Sequence, residues 1–338
     1  MNKLFLAAAL AGLIIGIIVV MALTGNLSSI LPQSLISKKE PVKIGILYQG
    51  GSYKLAFNGL KDKLAEDGFT DGKNVTYIIK ELSDPAAATE AAKDLISQGI
   101  AIFYSISTPV TSRVKEAVGE TAPIVFNIVG DPVGAGFIKS FAEPGANLTG
   151  CTNLSASLSG KRLEIFKMAF PALKRVVTFY DPTNKFSILS IENTRQAAAG
   201  LGIEVKEFQV KSVEEIEKEL AKIRPGEYNG IYNTPDARAV AQIDKIVARA
   251  NELKIPVMGH EEDLAGRGVS LSYGANFYRL GRDCASVVEN ILNGSSPRTE
   301  PVISPSKLDL VINQAALDKI GLSVSKEIQS QADKIIKQ

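Results

Sequence analysis

Residues 42–48, Val-Lys-Ile-Gly-Ile-Leu-Tyr (VKIGILY), form a near-continuous apolar run of the kind that suits a parallel strand covered on both faces. Directly after it, Ala56, Leu60 and Leu64 mark one helical face, and Gly68 ends that helix. A second strand is expected over residues 74–82. Asp84-Pro85 then opens a helix in the favoured cap-then-proline order, and Gly99 stops it. Further strands fall at 100–106 and 123–129, separated by a helix that opens at Ser107-Thr108-Pro109. This alternation predicts a doubly wound parallel sheet with right-handed crossovers.

Beyond Thr149-Gly150-Cys151-Thr152 the alternation starts again. Strands are expected at 175–180, 203–210, 230–233, 256–259 and 269–273, with helices between them, including 213–223 and 237–253. Two such runs, each of domain size, predict two α/β lobes. A chain of 338 residues is long enough for about two cores. Open sheets bind ligands beyond the carboxyl ends of their strands, so two facing lobes make a natural cleft.

The remaining composition narrows the function. The 38 basic and 36 acidic side chains nearly cancel, no like-charge block stands out and Trp is absent, so a nucleic-acid partner is not implied. Residues 4–23, LFLAAALAGLIIGIIVVMAL, carry no charge or strong polar group. As a helix they would span ~30 Å, the thickness of a bilayer's hydrocarbon core. Lys3 before them keeps the N-terminus inside and sends the rest out. An uncleaved anchor is the reading adopted. A cleaved signal peptide is the rival, with Val20-Met21-Ala22 as a weak cleavage site and an apolar region longer than the usual ~7–15 residues. Residues 24–41, with Pro32 and Pro41, read as a tether. Cys151 and Cys284 lack metal or redox spacing; a single disulfide is open to them, and two buried free thiols are the plainer reading. Sequons at Asn26, Asn74, Asn147, Asn153 and Asn293 are compatible with export and glycosylation.

Asp131-Pro132-Val133-Gly134-Ala135-Gly136, followed by Glu143-Pro144-Gly145-Ala146-Asn147-Leu148-Thr149-Gly150, resembles a signature of one family of ABC-transporter substrate-binding proteins. Gly68 to Val75 (GFTDGKNV), Ser107-Thr108-Pro109, Ile255-Pro256-Val257 with Glu261-Glu262-Asp263, Tyr273-Gly274 and Leu310-Val311-Ile312-Asn313 agree in order and spacing. The resemblance runs from about Val42 to Leu322. It implies the type I periplasmic-binding fold, two lobes joined by three crossovers. An enzyme on the same scaffold, such as a hydrolase, would need a nucleophile–base pair, and the shortage of His and Cys counts against it, so neither enzymatic activity nor a cofactor is expected. The resemblance also implies a permease in the membrane as partner, with aromatic amino acids bound by some members. By that analogy residues 42–150 and 276–303 form one lobe, and 151–275 with 304–338 the other. Residues 329–338 look like a polar helical extension outside the resemblance. Two departures fall near the expected cleft. His260, the only histidine, occupies a position that is often small or hydroxylated in the family, and in Asn233-Thr234-Pro235-Asp236-Ala237 the proline is displaced.

The candidate ligand-binding residues follow strand ends. Ser107, Thr108 and Pro109 end a strand and open a helix, where main-chain N–H groups and hydroxyls suit a carboxylate, and where a plain cap is the alternative. Gln49 and Ser52 flank a Gly-Gly turn after the first strand, which lacks a dinucleotide fingerprint. Asp236 and Glu261 are placed to meet a ligand ammonium group, because an unpaired buried charge is costly. Asp131 joins them, with a turn-fixing role before Pro132 as its rival. Thr152, Asn233 and Tyr273 complete the set, Tyr273 either stacking on ligand or packing in a hinge strand. His260 has no Ser elbow, activated Cys or HExxH pattern beside it, so it reads as a lone cleft or surface histidine. The resulting expectation is a membrane-anchored, extracytoplasmic solute-binding component of an ABC importer. A ligand-sensing receptor ectodomain is the alternative.

Overall fold

A computed structural model describes residues 40–337. The anchor expected at 4–23 and nearly all of the tether lie outside these residues. Among the described residues no helix is long and apolar enough to cross a membrane.

The first sheet has the order β2-β1-β3-β4-β5, all parallel, from β1 (Val42–Gln49), β2 (Val75–Leu82), β3 (Ile102–Ile106), β4 (Ile124–Val129) and β5 (Leu148–Thr152). Helices α1 (Tyr53–Glu66), α2 (Ala88–Ser97) and α3 (Thr108–Val118) connect the first four strands. The strand period of two explains the double winding. Ile44, Ile46 and Tyr48 point into one apolar cluster with Ala56 and Leu60 of α1, while Leu47 points into another with Leu95 and Val110. β3, β4 and β5 are buried along their whole length, and the edge strand β2 is not.

The second sheet has the order β12-β11-β10-β9-β8-β6-β7. Its strands and helices follow in the chain as α4 (Ser159–Ala169), β6 (Arg175–Tyr180), α5 (Lys185–Leu201), β7 (Glu204–Gln209), α6 (Val213–Lys222) and β8 (Gly230–Tyr232). Then come α7 (Ala237–Ala241), α8 (Ile243–Leu253), β9 (Val257–Gly259), α9 (Glu262–Gly266) and β10 (Leu271–Ala275). The helix expected over 237–253 is thus broken at Gln242. After β10 come α10 (Phe277–Asp283), α11 (Ala285–Leu292), β11 (Leu308–Asn313), α12 (Gln314–Ile320), α13 (Lys326–Gln331) and β12 (Lys334–Ile336). β11 runs antiparallel to β10, so this sheet is mixed at one edge.

The chain passes between the sheets three times: after β5, after β10, and between Ile303 and β11. The second passage returns α10 onto α1. There Gly59 and Gly281 allow main chains to touch, because a Cβ at Gly59 would lie 1.9 Å from the Tyr278 carbonyl oxygen and one at Gly281 2.0 Å from that of Ala56. This return also brings Cys284 beneath β5, where it forms a disulfide with Cys151 at a Cα–Cα distance of 5.8 Å. The free-thiol reading is corrected.

Two further expectations change. Residues 329–338 are not a helical extension: α13 ends at Gln331, and Lys334–Ile336 adds a strand parallel to β11. Ile335 and Ile336 are β-branched, and the open edge of β11 supplies pairing partners. Among the sequons, the amide of Asn74 donates to the Gly68 carbonyl, that of Asn147 to Gly119 and Ala122, and Asn153 is buried. In the folded chain these three side chains serve the fold.

Candidate functional site

The carboxyl ends of the two sheets face one another. Gly130, just past β4, packs against the Phe186 ring in the first turn of α5, so closely that a Cβ would lie 2.3 Å from the ring. Tyr53, opening α1, stacks on Phe277 beyond β10 with ring centroids 5.8 Å apart. The negative charges of Glu261 and Asp263 act on Tyr53 from α9 and, after burial, hold its phenol proton more firmly. A cavity of about 360 Å³ lies between the start of α1 (Ser52, Leu55), α9 (Asp263) with its two cap residues Glu261 and Arg267, and Phe277. A second recess, of about 560 Å³, opens beside Gln49 and Glu81 at the ends of β1 and β2.

On the first sheet Ser107 is the most unusual residue. It sits directly after β3 with φ 87° and ψ 152°, a region that residues with a Cβ rarely occupy and that costs on the order of 1–3 kcal/mol. Its N–H donates to the Asn127 carbonyl at 2.9 Å and its carbonyl accepts from Thr111. The buried Oγ has no partner. Thr108 and Pro109 form the first turn of α3, an eleven-residue helix whose N-terminal N–H groups carry partial positive charge. Ser52 stands at the N-cap of α1 and lines the smaller cavity, with no side-chain cap bond. Gln49 borders the larger recess. Asp131 follows its turn reading: Oδ1 accepts from Gly134 N–H at 2.8 Å and its carbonyl from Ala135 N–H. Thr152 belongs to the first passage, where Oγ1 accepts from Leu154 N–H and its own N–H donates to Ile303.

On the second sheet Asp236 takes a role the sequence did not suggest. Oδ1 accepts from the N–H groups of Arg238 (2.8 Å) and Ala239 (3.2 Å), which makes it the N-cap of α7. Oδ2 accepts from Asp181 N–H (2.9 Å) and Ser187 Oγ–H (2.7 Å). Both oxygens thereby accept from the chain's own donors. Tyr273, within β10, is half-buried against the second core, with its carbonyl accepting from Arg162 Nε at 2.6 Å. Asn233, just past β8, donates its main-chain N–H to Met258 at 2.9 Å, while neither atom of its buried side-chain amide has a partner.

Glu261 follows β9 and lines the smaller cavity with a largely buried side chain. Burial above all, then the negative charge of Asp263, pushes its carboxyl up to about 7, against the opposing pull of Arg162 and Arg267. His260 is not at the surface: it is 7% exposed, and burial, then the positive charge of Arg162, pulls its imidazole down to about 3, partly offset by the Asn233 main chain. It is therefore neutral near pH 7, with Nδ1 unpartnered. Arg162 was not singled out in the sequence. It lies on α4 among apolar neighbours at helical spacing, so only its burial in the folded chain sets it apart.

Residues 42–336 match the family described as ABC transporter substrate binding protein. A tyrosine-binding protein of Clostridioides difficile (strain R20291) is 25% identical over 286 residues, which covers 84% of this chain and 82% of that protein. A conserved domain protein from Vibrio cholerae is 27% identical, with a TM-score of 0.79 over 88% of this chain and 100% of that one. The ABC domain in complex with L-Trp from Streptococcus pneumoniae shares 23% identity, with a TM-score of 0.77 over 88% of this chain and 100% of that one. The likeness thus spans both sheets and all three passages between them, and the chain belongs to the ABC transporter substrate-binding protein family, whose members bind solutes and are not enzymes.

Proposed function

We propose that this chain is the extracytoplasmic solute-binding component of an ABC importer and that it captures an amino acid, with an aromatic side chain favoured. The observation that carries this reading is the set of buried, unpartnered polar atoms at strand carboxyl ends on both sheets: Ser107 Oγ after β3 and the Asn233 amide after β8. Buried polar groups in native proteins are nearly always hydrogen-bonded, so such atoms mark where a ligand supplies the partner. The first turn of α3 with Ser107 and Thr108 receives the carboxylate. Glu261 receives the ammonium group, and Asp236, committed to its cap, does not. The aromatic preference rests on the relatives that bind tyrosine and tryptophan.

In this reading residues 42–150 with 276–303 close against 151–275 with 304–338 about the three passages when ligand bridges both walls. The closed form docks on a membrane permease, and a separate ATPase supplies the energy. The apolar segment at residues 4–23 holds the globular part outside the cytoplasm.

The test is calorimetry with a panel of amino acids, joined to small-angle scattering. A ligand should bind, reduce the radius of gyration at saturation, and bind at least tenfold more weakly to Glu261→Ala, since truncating one partner of a desolvated charge pair costs ~2–5 kcal/mol. Full affinity in Glu261→Ala, or a best ligand without a cationic group, would sink the zwitterion reading.

A further inference from the structure

Capture of an α-carboxylate at α3 and an α-ammonium group at Glu261 assigns no ligand group to three buried side chains, Arg162, Asn233 and His260. Arg162 is fully buried on α4. Its Nη1 donates to the Ser155 carbonyl and its Nε to that of Tyr273, both at 2.6 Å, so the guanidinium ties the first passage to β10, the strand that leads into the second. Nη2 has no partner, and no ion pair of Arg162 exists among the described residues. Burial works against its charge, and Tyr232 foremost, then Glu261 and Tyr273, are the neighbouring groups that favour it.

Strand pairing brings the other two beside it. β8, β9 and β10 are neighbours, with Tyr232 opposite Met258 and Ser272 opposite Gly259. Asn233 and His260 therefore leave the sheet next to each other at its carboxyl edge, and the ring of His260 is influenced by the Asn233 main chain. A Cβ at Gly274 would lie 2.1 Å from the His260 carbonyl and 3.8 Å from Arg162 Nη2, which puts the guanidinium and the histidine main chain beside the same glycine.

We propose that Arg162, Asn233 and His260 form a second polar subsite of the cleft, and that it takes an oxygen acceptor on the side chain of the ligand: a carboxylate, a carboxamide or a phenol. The inference rests on the amino-acid reading above. The subsite offers a charged donor at Arg162 Nη2, donor and acceptor at Asn233, and one nitrogen of a neutral imidazole, His260 Nδ1. A purely hydrocarbon side chain would leave all of these desolvated and unpaired. A side-chain ammonium group would meet the positive charge of Arg162, which forms no ion pair among the described residues. An oxygen acceptor satisfies the guanidinium directly, and because that guanidinium ties the first passage to β10, occupancy acts where the chain leaves one sheet for the other.

The experiment is calorimetry at pH 7.5 on the full chain in detergent, with amino acids paired by the presence or absence of a side-chain oxygen: L-tyrosine against L-phenylalanine, and L-glutamate and L-glutamine against L-norleucine. The oxygen-bearing member of at least one pair should bind roughly tenfold more tightly or better, since a site built to hydrogen-bond a ligand group rejects the analogue lacking it. In Asn233→Ala and His260→Ala, with folding checked by their melting curves, that ratio should fall below roughly threefold. Arg162→Gln is expected to lower stability as well, because the first passage and β10 lose a shared donor, so the other two variants carry the test. Equal affinities within every pair, or a ratio that survives in both variants, overturns the subsite and leaves the amino-acid reading intact. No binding by any amino acid overturns that reading and this subsite with it.

Discussion

Replacing Asp236 by alanine separates a structural carboxylate from a ligand-binding one. The substitution strips the N-cap from α7, a loss of about 1 kcal/mol. It also leaves Asp181 N–H and Ser187 Oγ–H without the acceptor they now share, and an unsatisfied buried donor costs ~1–3 kcal/mol. The four bonds form one network, so the losses overlap, and a total of about 3–5 kcal/mol is expected. Asp236→Asn keeps one acceptor oxygen and should lose roughly half as much. Urea unfolding at pH 7 measures the stability, and calorimetry with the best ligand, at a temperature where both proteins are fully folded, measures the affinity. Stability should fall by the stated amount while the dissociation constant stays within about threefold of the parent. If stability changes by less than about 1 kcal/mol while affinity drops more than about tenfold, the carboxylate faces the ligand and the capping argument fails.

Two other outcomes follow from the same geometry. Cys151→Ala with Cys284→Ala opens a cross-link between residues 133 apart, for which chain entropy sets a ceiling of about 5 kcal/mol; the urea midpoint should fall and the m-value rise as the denatured chain expands, and an unchanged midpoint would count against the bridge. The pH dependence of stability should carry two opposed contributions. Glu261, raised from 4.5 to about 7, keeps its proton in the folded state, so its contribution is full below 4.5 and is lost as pH rises through 7. His260, lowered from 6.5 to about 3, contributes above 6.5 and loses its contribution as pH falls towards 3. Urea midpoints from pH 3.5 to 8 should therefore lose the falling limb in Glu261→Gln and the rising limb in His260→Ala; profiles parallel to the parent in both variants would show that neither group titrates as its burial dictates.

Local order determined what the sequence could tell. The apolar run at 42–48, the helix face at Ala56, Leu60 and Leu64, the cap-then-proline at Asp84-Pro85 and the strand-to-helix junction at Ser107 are each decided within a few residues. They recur in the structure as β1, α1, the turn before α2, and the start of α3. Their repetition was enough for two α/β lobes with a cleft at strand ends, and the collinear motifs were enough for the family. The rest depended on residues meeting from far along the chain. Cys151 finds Cys284 only because the second passage brings α10 back beneath β5. Arg162 becomes a fully buried cation only because Tyr273, 111 residues away, supplies a carbonyl. Asp236 turns from a candidate for ligand ammonium into a cap because Asp181 N–H and Ser187, 55 and 49 residues earlier, reach its second oxygen. Residues 334–336 become a strand because β11 has an open edge to pair with. Helix and strand periodicity is written in each residue's own backbone preferences and near neighbours, whereas burial, hydrogen-bond satisfaction and charge pairing belong to contacts that exist only once the chain has folded.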